Sequence, residues 1–369
     1  MVDDPKSALV QLKEYELCRY CLARQAGYAG KRRVDKCHIC RGLFDKLDEI
    51  AEKALAAAGQ YQFDTFLVGA TLPTQLFERE DALRARLKIR GKESIKSQLT
   101  RELGQRLARM TGKRVDFSRP DLTVNVTIDR EGNVDAVARA RPIALHGRYT
   151  KKIRGLPQKR ERCPMCEGKG CSLCDSTGFY GNNSVEGILA KHIVKATGGQ
   201  SPRFSWVGSE DQNSLVLGSG RPFYVKISDP RARILKKKRF SEAGVTATIT
   251  GALDDLPDTQ ARFAVRTKIA CACSRPVAQD DIARLKSLAG KEAKFASRSK
   301  VASKKIHSAQ GKETGDSEFT LTIKADGGLP IKQFVGGEEY MEPNVSALFG
   351  AKCECVTFDI LSVEIQGSA

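Results

Sequence analysis

The sequence predicts an α+β protein in three parts. The first is a small N-terminal cap over residues 1–60 that a bound metal ion stabilises. An α/β module over 61–180 and a C-terminal domain built on antiparallel or mixed sheet over 181–369 follow. Helical patterns flank the first cysteine array, a strand–helix–strand order follows from about residue 61, and the chain is rich in strands after about residue 204. A strand-rich domain built on antiparallel sheet with a few helices is typical of the α+β class.

The N-terminal cap is predicted from a cysteine array that lies between two helical patterns, the second of which is amphipathic. Leu43, Leu47, Ile50, Ala51 and Leu55 recur every three or four residues. Residues at this spacing share one face of a helix, so the cap is expected to bury that face.

The central module is predicted to alternate strands with a basic helix. FLVGA at 66–70 indicates a strand, and the helix is expected over 95–111. Residues 122–128 alternate apolar and polar side chains, and the turn-forming residues 129–133 lead into a partner strand from Val134.

The C-terminal domain begins with a short predicted helix over 185–196 and continues mainly as strands. SLVLGSGRPFYVKI at 214–227 predicts a hairpin that turns at Gly218 to Gly220. A further helix is expected over 280–288. Further strands are predicted over 245–250, 261–272, 319–324 and 356–365.

Eight of the twelve cysteines form two arrays, each made of two Cys-x2-Cys pairs. One pair directs two thiolates at a single ion, and a second pair completes the tetrahedral set of a structural zinc. Disulfides are the alternative, but a chain of this length with no secretory signal is expected in a reducing cytoplasm. The arrays are Cys18-x2-Cys21-x15-Cys37-x2-Cys40 and Cys163-x2-Cys166-x4-Cys171-x2-Cys174.

The second array is the tighter one, because only four residues separate its two pairs. Gly168 and Gly170 lie in that gap, where a reversal needs positive φ. The stretch CPMCEGKGCSLCDSTG resembles the zinc knuckles of DnaJ-like chaperones. The alternative is that each pair binds a ligand elsewhere in the chain.

Positive charge is in excess and is clustered. Lys and Arg number 62 against 44 Asp and Glu, which gives a net charge of +18 and favours a partner with a phosphate backbone, that is, a nucleic acid. A basic chain can also be merely well solvated, but runs of like charge are typical of interaction surfaces. The runs span residues 84–114, 148–162, 231–239 and 294–305.

Membrane and nucleotide-driven functions are not expected. No apolar run approaches the roughly 18 residues of a membrane span. The chain has neither a G-x-G-x-x-G motif in a βαβ context nor a G-x-x-x-x-G-K-[ST] loop, so no nucleotide cofactor is expected.

Three segments carry a resemblance to a known family. They are IRGLPQKRERCPMCEGKGCSLCDSTG at 153–178, GSED at 208–211 followed after six residues by GSGRPF at 218–223, and GGLPIKQFVGGEEYMEPNVSALFG at 327–350. Here the chain resembles the archaeal and eukaryotic tRNA pseudouridine synthases of the tenth Pus family. The family's motifs read Gly-Arg-Glu-Asp, Gly-x-Gly-Arg-Pro-Phe and Gly-Leu-Tyr-Ile-Lys-Glu-Leu.

The resemblance covers most of the chain and implies both a fold and an activity. The central module would be a THUMP-type RNA-binding domain. The C-terminal domain would be a pseudouridine synthase that acts on uridines 54 and/or 55 in the T arm of tRNA. This reaction breaks the N-glycosidic bond of uridine and rejoins the base through C5, which requires a carboxylate but no cofactor. The target uridine must first leave its stack.

The same resemblance assigns site residues. Asp211 takes the position of the catalytic aspartate, and Glu210 beside it is expected to be a solvated neighbour. Arg221, Lys268 and Tyr340 are the expected substrate-binding residues. Arg221 is open to three interpretations: a phosphate contact, a sheet-edge contact, or a structural partner of Asp211.

The chain departs from the family at four positions close to this chemistry. Ser209 stands where the family has arginine, and a serine cannot supply a charged fork. Lys268 and Pro330 stand where the family has tyrosines, and Tyr340 stands where it has arginine. Tyr340 could supply the lost stacking face, and Lys268 or Arg221 the lost charge.

The remaining cysteines leave two interpretations open. Cys271 and Cys273 lie at i, i+2 spacing on one predicted strand, and Cys353 and Cys355 repeat that spacing near the C-terminus. Each pair shares a face of its strand. The four thiols form either a third metal site or part of a core, where small cysteines are common.

The alternative to an enzyme is a non-catalytic zinc-containing tRNA-binding protein or RNA chaperone, for which Asp211 would be dispensable. A THUMP-type methyltransferase or thiolation enzyme would instead need a methyl-donor or ATP pocket. No sequence motif for either pocket is visible.

Overall fold

A computed structural model describes residues 10–12, 14–27, 34, 36–235, 238–257, 262–297, 300–337 and 340–366. Lys236, Lys237 and Arg298, which belong to two of the basic runs, lie outside the described residues. Contacts group the chain into two compact units, residues 1–141 with 229–233 and residues 142–228 with 234–369. The domain boundaries at residues 60 and 180 stay a prediction.

The first unit, in its described part, combines the four helices named below with a four-stranded sheet, and residues 10–12 are also helical. A 3-10 turn at Leu43–Lys46 precedes the second helix. The elements are α1 (Arg19–Ala26), α2 (Leu47–Ala58), β1 (Thr65–Thr71), α3 (Thr74–Leu87), α4 (Ile95–Thr111), β2 (Arg114–Val115), β3 (Leu122–Ile128) and β4 (Val134–Ala140).

The sheet of the first unit has the order β2-β1-β3-β4, in which β1 is parallel to both neighbours and β3 is antiparallel to β4. The predicted helix at 95–111 is confirmed as α4. The Ser94 hydroxyl accepts a hydrogen bond from the Ser97 N–H at its start, and Gly112 ends it at φ 70°. The apolar faces of α2, α4 and the sheet enclose one core.

The second unit is rich in strands. Short 3-10 turns occur at Ser172–Cys174 and Leu285–Leu288. The elements are β5 (Ile143–Lys151), β6 (Glu161–Arg162), β7 (Phe179–Tyr180), α5 (Val185–Thr197), β8 (Gln200–Trp206), β9 (Val216–Ser228), β10 (Lys238–Glu242), β11 (Val245–Leu253), β12 (Phe263–Cys273), α6 (Gln279–Arg284), β13 (Glu292–Ser297), β14 (Lys300–Gly315), β15 (Glu318–Asp326), α7 (Ile331–Gly336), α8 (Val345–Phe349) and β16 (Cys353–Ile365).

Ten of these strands form one mixed sheet. Its path is β10-β11-β5-β9-β16-β12-β15-β14-β13, and β8 pairs with β9 beside it. Neighbours are antiparallel except at the centre, where β9 and β16 are parallel and pair through Val216 and Ile360. One core lies under β5, β9, β11 and α5, and another lies under β12, β14, β15, α7 and α8. The α+β class and the antiparallel or mixed sheet are confirmed.

The hairpin predicted at 214–227 is wrong. Residues 216–228 form one strand, β9, whose pairing with β5 is irregular near its start. Gly218 and Gly220 have φ of 56° and 74°. A Cβ atom at Gly220 would lie 2.5 Å from the Tyr149 carbonyl oxygen, and one at Gly218 would lie 2.3 Å from that of Leu361. Glycine therefore lets the strand bulge past its neighbours, and the same Gly-x-Gly signal suits a bulge as well as a turn.

None of the described helices has the length and apolar character needed to cross a membrane.

Candidate active site and metal centres

A cleft of about 770 Å³ opens in the second unit at the centre of the large sheet. The loop between β8 and β9 forms one wall. The rest is formed by β12, β15, β16, the start of α7, residues 327–330 before it, and Arg221 of β9. This volume is typical of a small-molecule site. Polar and aromatic side chains of the lining include Asp211, Arg221, Phe263, Thr267, Asp326, Lys332 and Phe358.

Asp211 lies in the loop between β8 and β9 with its carboxylate in the cleft, where the side chain is 26% exposed. Its Oδ2 accepts a hydrogen bond from Lys332 Nζ at 2.9 Å, and its Oδ1 accepts one from the Asn213 N–H at 2.9 Å. The Lys332 ammonium is the main cause of a lowered Asp211 pKa, and the Asn213 N–H adds to it against a small effect of burial. Asp211 is therefore ionised at neutral pH.

The expectation that Glu210 is solvated is wrong, because its side chain is fully buried. Its Oε1 lies 3.1 Å from Lys151 Nζ, and its Oε2 accepts a hydrogen bond from the Tyr149 hydroxyl at 2.6 Å. Arg221 Nε lies 3.5 Å from Oε2. A desolvated carboxylate is tolerated here because two cations and a hydroxyl group surround it.

Arg221 is 2% exposed, although it lies at the wall of the cleft. Its guanidinium donates to the carbonyl oxygens of Val207 at 2.8 Å and Ser209 at 3.0 Å. Among the described residues its carboxylate partner is Glu210 rather than Asp211. Its role as a substrate-binding residue stays a prediction.

The other positions where the chain departs from the family divide between the cleft and the surface. Ser209 and Pro330 line the cleft, whereas Lys268 and Tyr340 do not occur among the described residues of its wall. Lys268 follows Thr267 on β12, and because Thr267 faces the cleft, alternation turns Lys268 to the other face of the sheet. Tyr340 is 92% exposed. The substrate-binding roles of Lys268 and Tyr340 stay predictions.

Two phenylalanines that sequence reasoning did not single out contribute aromatic surface to the cleft. Phe263 lies at the start of β12, and Phe358 lies on β16. The ring of Phe263 packs against Gly208 and Gly327, where an added Cβ would come within 2.8 and 2.1 Å of it. A tyrosine-based family motif offers no signal for these two positions.

The first cysteine array forms a compact cluster in the first unit. The sulfur atoms of Cys18, Cys21, Cys37 and Cys40 lie within 4.8 Å of one another, and all four residues are buried. Cys18 Sγ is 3.7 Å from Cys40 Sγ. Thiolates around one zinc ion at about 2.3 Å stand roughly 3.8 Å apart, so the four side chains fit a tetrahedral metal site.

The second array also forms one four-sulfur cluster, so its two pairs are not directed to separate distant ligands. Cys163 Sγ lies 3.8 Å from Cys171 Sγ, and Cys166 Sγ lies 3.7 Å from Cys174 Sγ. The N–H groups of Gly170 and Gly178 point at Cys166 Sγ and Cys174 Sγ at 3.1 and 3.2 Å, as suits thiolates.

The positive φ expected between the two halves of the second array is confirmed. Gly168 and Gly170 have φ of 96° and 93°. A Cβ at Gly170 would lie 2.8 Å from the Ser176 carbonyl oxygen, so glycine is required for the close return of the chain.

The remaining four cysteines lie on adjacent strands, with Cys271 opposite Cys355 and Cys273 opposite Cys353. The described clusters that could hold a metal ion are the two arrays alone, and these four thiols instead belong to an apolar core. Burial raises the pKa of Cys353 to about 12 and that of Cys355 to about 11. Cys353 and Cys355 are therefore neutral thiols at neutral pH.

The basic run at 84–114 is partly neutralised within the first unit. Arg101 pairs with Glu93 at 2.9 Å, and Lys113 pairs with Asp64 at 2.8 Å. Other cations of the run remain exposed: Arg86, Arg90, Lys96 and Arg109.

Two family models match the chain. The one described as "Pus10 THUMP domain, archaeal" matches residues 50–129, and "Pus10, C-terminal" matches residues 144–364. The chain belongs to the Pus10 family. The resemblance inferred from three short motifs, and with it the THUMP assignment, is confirmed.

Curated Pus10 relatives match over nearly the whole chain. A "tRNA pseudouridine synthase Pus10" of Nitrosopumilus maritimus is 32% identical over 371 residues, which cover 96% of each chain. One of Cenarchaeum symbiosum is 34% identical over 369 residues, which cover 95% of this chain and 90% of the relative. Among solved structures, a chain of "Crystal Structure of a Cbf5-Nop10-Gar1 Complex" has a TM-score of 0.32 at 11% identity, with 50% of this chain and 46% of that chain covered.

The two cysteine arrays lie at different places relative to the residue ranges that the two Pus10 models match. The first array precedes both matched ranges, and the second lies inside the Pus10 C-terminal range.

Two lysines at the site escaped sequence reasoning. Lys332 belongs to the segment that resembles the Pus10 motif Ile-Lys-Glu, so a signal for it was present. Its pairing with Asp211, 121 residues away, has no local signature. Lys151 lies in a basic run that indicated a surface, yet its side chain is fully buried.

Proposed function

We propose that the protein is a tRNA pseudouridine synthase that isomerises T-arm uridine at position 54, 55 or both, with Asp211 as its catalytic carboxylate. The observation that carries the proposal is an ionised carboxylate, held by Lys332 at 2.9 Å, in a cleft large enough for a nucleoside. Family membership supports it, since the Pus10 relatives are named tRNA pseudouridine synthases.

The reaction needs one carboxylate. Because it is an isomerisation, the product contains the same atoms as the substrate. The bond between N1 of uracil and C1′ of ribose breaks, the base turns, and a bond forms between C5 and C1′. C5 then loses its proton and N1 gains one, so the product is an isomer of the substrate. Asp211 would act on the ribose in this sequence, as attacking or charge-stabilising group, and Lys332 would keep it ionised.

The remaining residues of the cleft would receive the flipped base. Phe263 and Phe358 offer apolar ring surface against which uracil can pack. Arg221, because it is buried against Glu210, would bind substrate only through the edge it presents to the cleft. Lys268 and Tyr340 would contact RNA outside the cleft.

Zinc is the metal proposed for both arrays, since four thiolates in tetrahedral arrangement are its usual structural site. Its role would be to hold the fold together rather than to take part in the reaction. A reducing cytoplasm, the proposed location, keeps the thiols available to the metal. Exposed cations such as Arg86, Arg90 and Lys96 would bind tRNA phosphates.

The proposal is tested by mapping pseudouridine on an unmodified tRNA transcript, with no cofactor added. Wild type is expected to form product in the T arm, and Asp211→Asn and Asp211→Ala are expected to form none. Asp280→Asn, which removes an exposed carboxylate on α6, is the matched control and should keep full activity. Absence of product with wild type, combined with retained salt-sensitive tRNA binding, would instead support the non-catalytic tRNA-binding protein.

The ion pair with Lys332 provides a second test. Lys332 lowers the Asp211 pKa, so Lys332→Met raises it, and the acid limb of kcat/KM moves to higher pH. Activity is lost as pH falls through this pKa, because only the carboxylate is active. Lys332→Arg should keep the limb near its wild-type position, and Lys352→Met, an exposed lysine paired with Glu354, should leave it unchanged. An acid limb unmoved in Lys332→Met would contradict the role of Asp211.

A further inference from the structure

A buried network of charged side chains includes Glu210, the residue that precedes Asp211 in the sequence. At its centre is Glu210, whose carboxylate is fully buried between the Lys151 ammonium and the Arg221 guanidinium. The Tyr149 hydroxyl donates to the same carboxylate at 2.6 Å and accepts from Gln158 Nε2 at 3.3 Å. Burial of three charged groups is costly, so their arrangement requires a reason.

The two buried cations hold the backbone of the loop that carries Asp211. Arg221 donates to the carbonyl oxygens of Val207 and Ser209 at 2.8 and 3.0 Å. Lys151 Nζ donates to the carbonyl oxygens of Gln212 at 3.1 Å and Asp211 itself at 3.4 Å. Four carbonyl groups between residues 207 and 212 are therefore bound by side chains from β5 and β9.

These side-chain bonds replace the backbone ladder that the loop lacks. Residues 207–215 form neither helix nor strand, so their carbonyl groups lack the regular donors of a helix or sheet. Lys151 also donates to the Leu156 carbonyl oxygen at 2.9 Å, which joins the loop to the segment after β5. The Gly155 N–H reinforces this connection by donating to the Gln212 carbonyl oxygen at 3.0 Å.

Lys151 does not belong to the described wall of the cleft, and its side chain is fully buried. It cannot touch a substrate that binds beside Asp211, so it acts through the loop. A displacement of a catalytic group by about 1 Å can lower a rate by about 100-fold, which makes the anchoring of this loop relevant to turnover.

We propose that Lys151 is a positioning residue of the reaction: together with Glu210 and Arg221 it fixes the backbone at Asp211, so that the carboxylate meets the ribose at the correct distance. This inference rests on the proposed function of Asp211. It predicts that loss of Lys151 lowers kcat and leaves the affinity for tRNA unchanged, since the RNA-contacting surface is intact.

The experiment compares three single variants with wild type in kcat, KM and tRNA dissociation constant. Lys151→Met removes every donor and is expected to lower kcat by about 100-fold, with KM and the dissociation constant within about twofold of wild type. Lys151→Gln keeps two N–H donors and should recover part of the loss. Lys352→Met is the matched control, because Lys352 is an exposed lysine outside the basic runs, and it should keep wild-type kcat.

Hydrogen exchange of the amides at 207–215 gives a readout that does not depend on activity. Exchange should increase about tenfold or more in Lys151→Met and stay at the wild-type rate in Lys352→Met. If Lys151→Met fails to fold, Lys151→Gln carries both measurements.

The outcomes separate the two proposals. Wild-type kcat in Lys151→Met, in a protein whose Asp211→Ala variant is inactive, would overturn the positioning role and leave the proposed function standing. A wild-type protein that forms no pseudouridine would overturn the proposed function and, with it, any role of Lys151 in turnover. A fall in kcat of Lys151→Met matched by an equal loss of tRNA affinity would also overturn the positioning role, since equal losses indicate a general structural defect.

Discussion

The two four-cysteine arrays have the same paired Cys-x2-Cys spacing and differ in what surrounds them. In the first array, the residues that precede the second cysteine of each pair are Tyr20 and Ile39. Ile39 is fully buried, and Tyr20 stacks on Phe44 with ring centroids 5.0 Å apart. At the same positions of the second array, Met165 and Leu173 are 75% and 57% exposed.

The difference shows that one ligand pattern serves two structural purposes. The first array lies in the same core as α2, α4 and the sheet of its unit, so a metal bound there would tie apolar elements together. The second array is closed by the two-stranded β6-β7 pair and by N–H groups directed at sulfur, so a metal there would order a hairpin. Equal coordination geometry therefore does not imply equal contributions to stability.

The largest expected effect is the loss of a ligand from the first array. Cys37→Ser should lower the free energy of unfolding of the first unit by more than about 4 kcal/mol, because metal binding and core packing are lost together. Cys166→Ser should shift the main thermal transition far less and increase hydrogen exchange chiefly over 161–180. Calorimetry and hydrogen exchange on the full chain measure both. Equal losses of stability in the two variants would contradict the inferred difference between the two arrays.

Truncation of the apolar residue between two cysteines should lower the free energy of unfolding more in the first array than in the second. Ile39→Ala opens a cavity in a core and is expected to cost about 2–4 kcal/mol, whereas Leu173→Ala removes an exposed side chain and should cost less than about 0.5 kcal/mol. Urea unfolding at neutral pH gives both values. A cost above about 1.5 kcal/mol for Leu173→Ala would mean that the hairpin is packed against something that its exposure does not reveal.

The second array should release its metal ion faster than the first. Elemental analysis is expected to find two zinc ions per chain, and a chelating dye should remove the ion of the second array about tenfold faster, because two of its cysteines are only half-buried. Release from Cys37→Ser and Cys166→Ser proteins assigns the phases. A single phase for both ions would mean that burial does not control access.

The smallest expected effect connects the second array to turnover. The segment between β5 and the array bonds to the Asp211 loop, since Arg154 donates to the Asn213 carbonyl oxygen and Gly155 donates to the Gln212 carbonyl oxygen. Cys166→Ser should therefore lower kcat by about threefold through a looser loop. Met165→Ser, which leaves the ligands intact, should keep wild-type kcat. A complete loss of activity in Cys166→Ser would show that the hairpin is part of the site.

Several elements and part of the site could be predicted because their signals are local. The helix at 95–111 follows from apolar spacing and from Ser94 and Gly112 at its ends. The strand at 122–128 follows from alternation. The spacing of the cysteines was enough to predict two clusters, and the motif that ends in Asp211 was enough to place that residue at the cleft.

Other features depended on partners far away in the chain. Glu210 has the composition of a surface residue, and only Lys151, Tyr149 and Arg221 make its burial tolerable. The face of Lys268 follows from the register of β12 against its neighbours, which its own sequence does not reveal. The glycines at 218 and 220 predict a turn and a bulge equally well, and the neighbouring strands decide between them.

The sequence by itself determined which groups are available: paired thiols, a run of cations, and an aspartate in a family motif. The tertiary structure decided which of them meet. Spacing along the chain controls contacts within a helix, a strand or a cysteine turn, because backbone geometry is the same everywhere. The contact between Asp211 and Lys332, and the burial of Lys151, arise only when the large sheet assembles, since sheet register brings distant residues together and removes water from some of them.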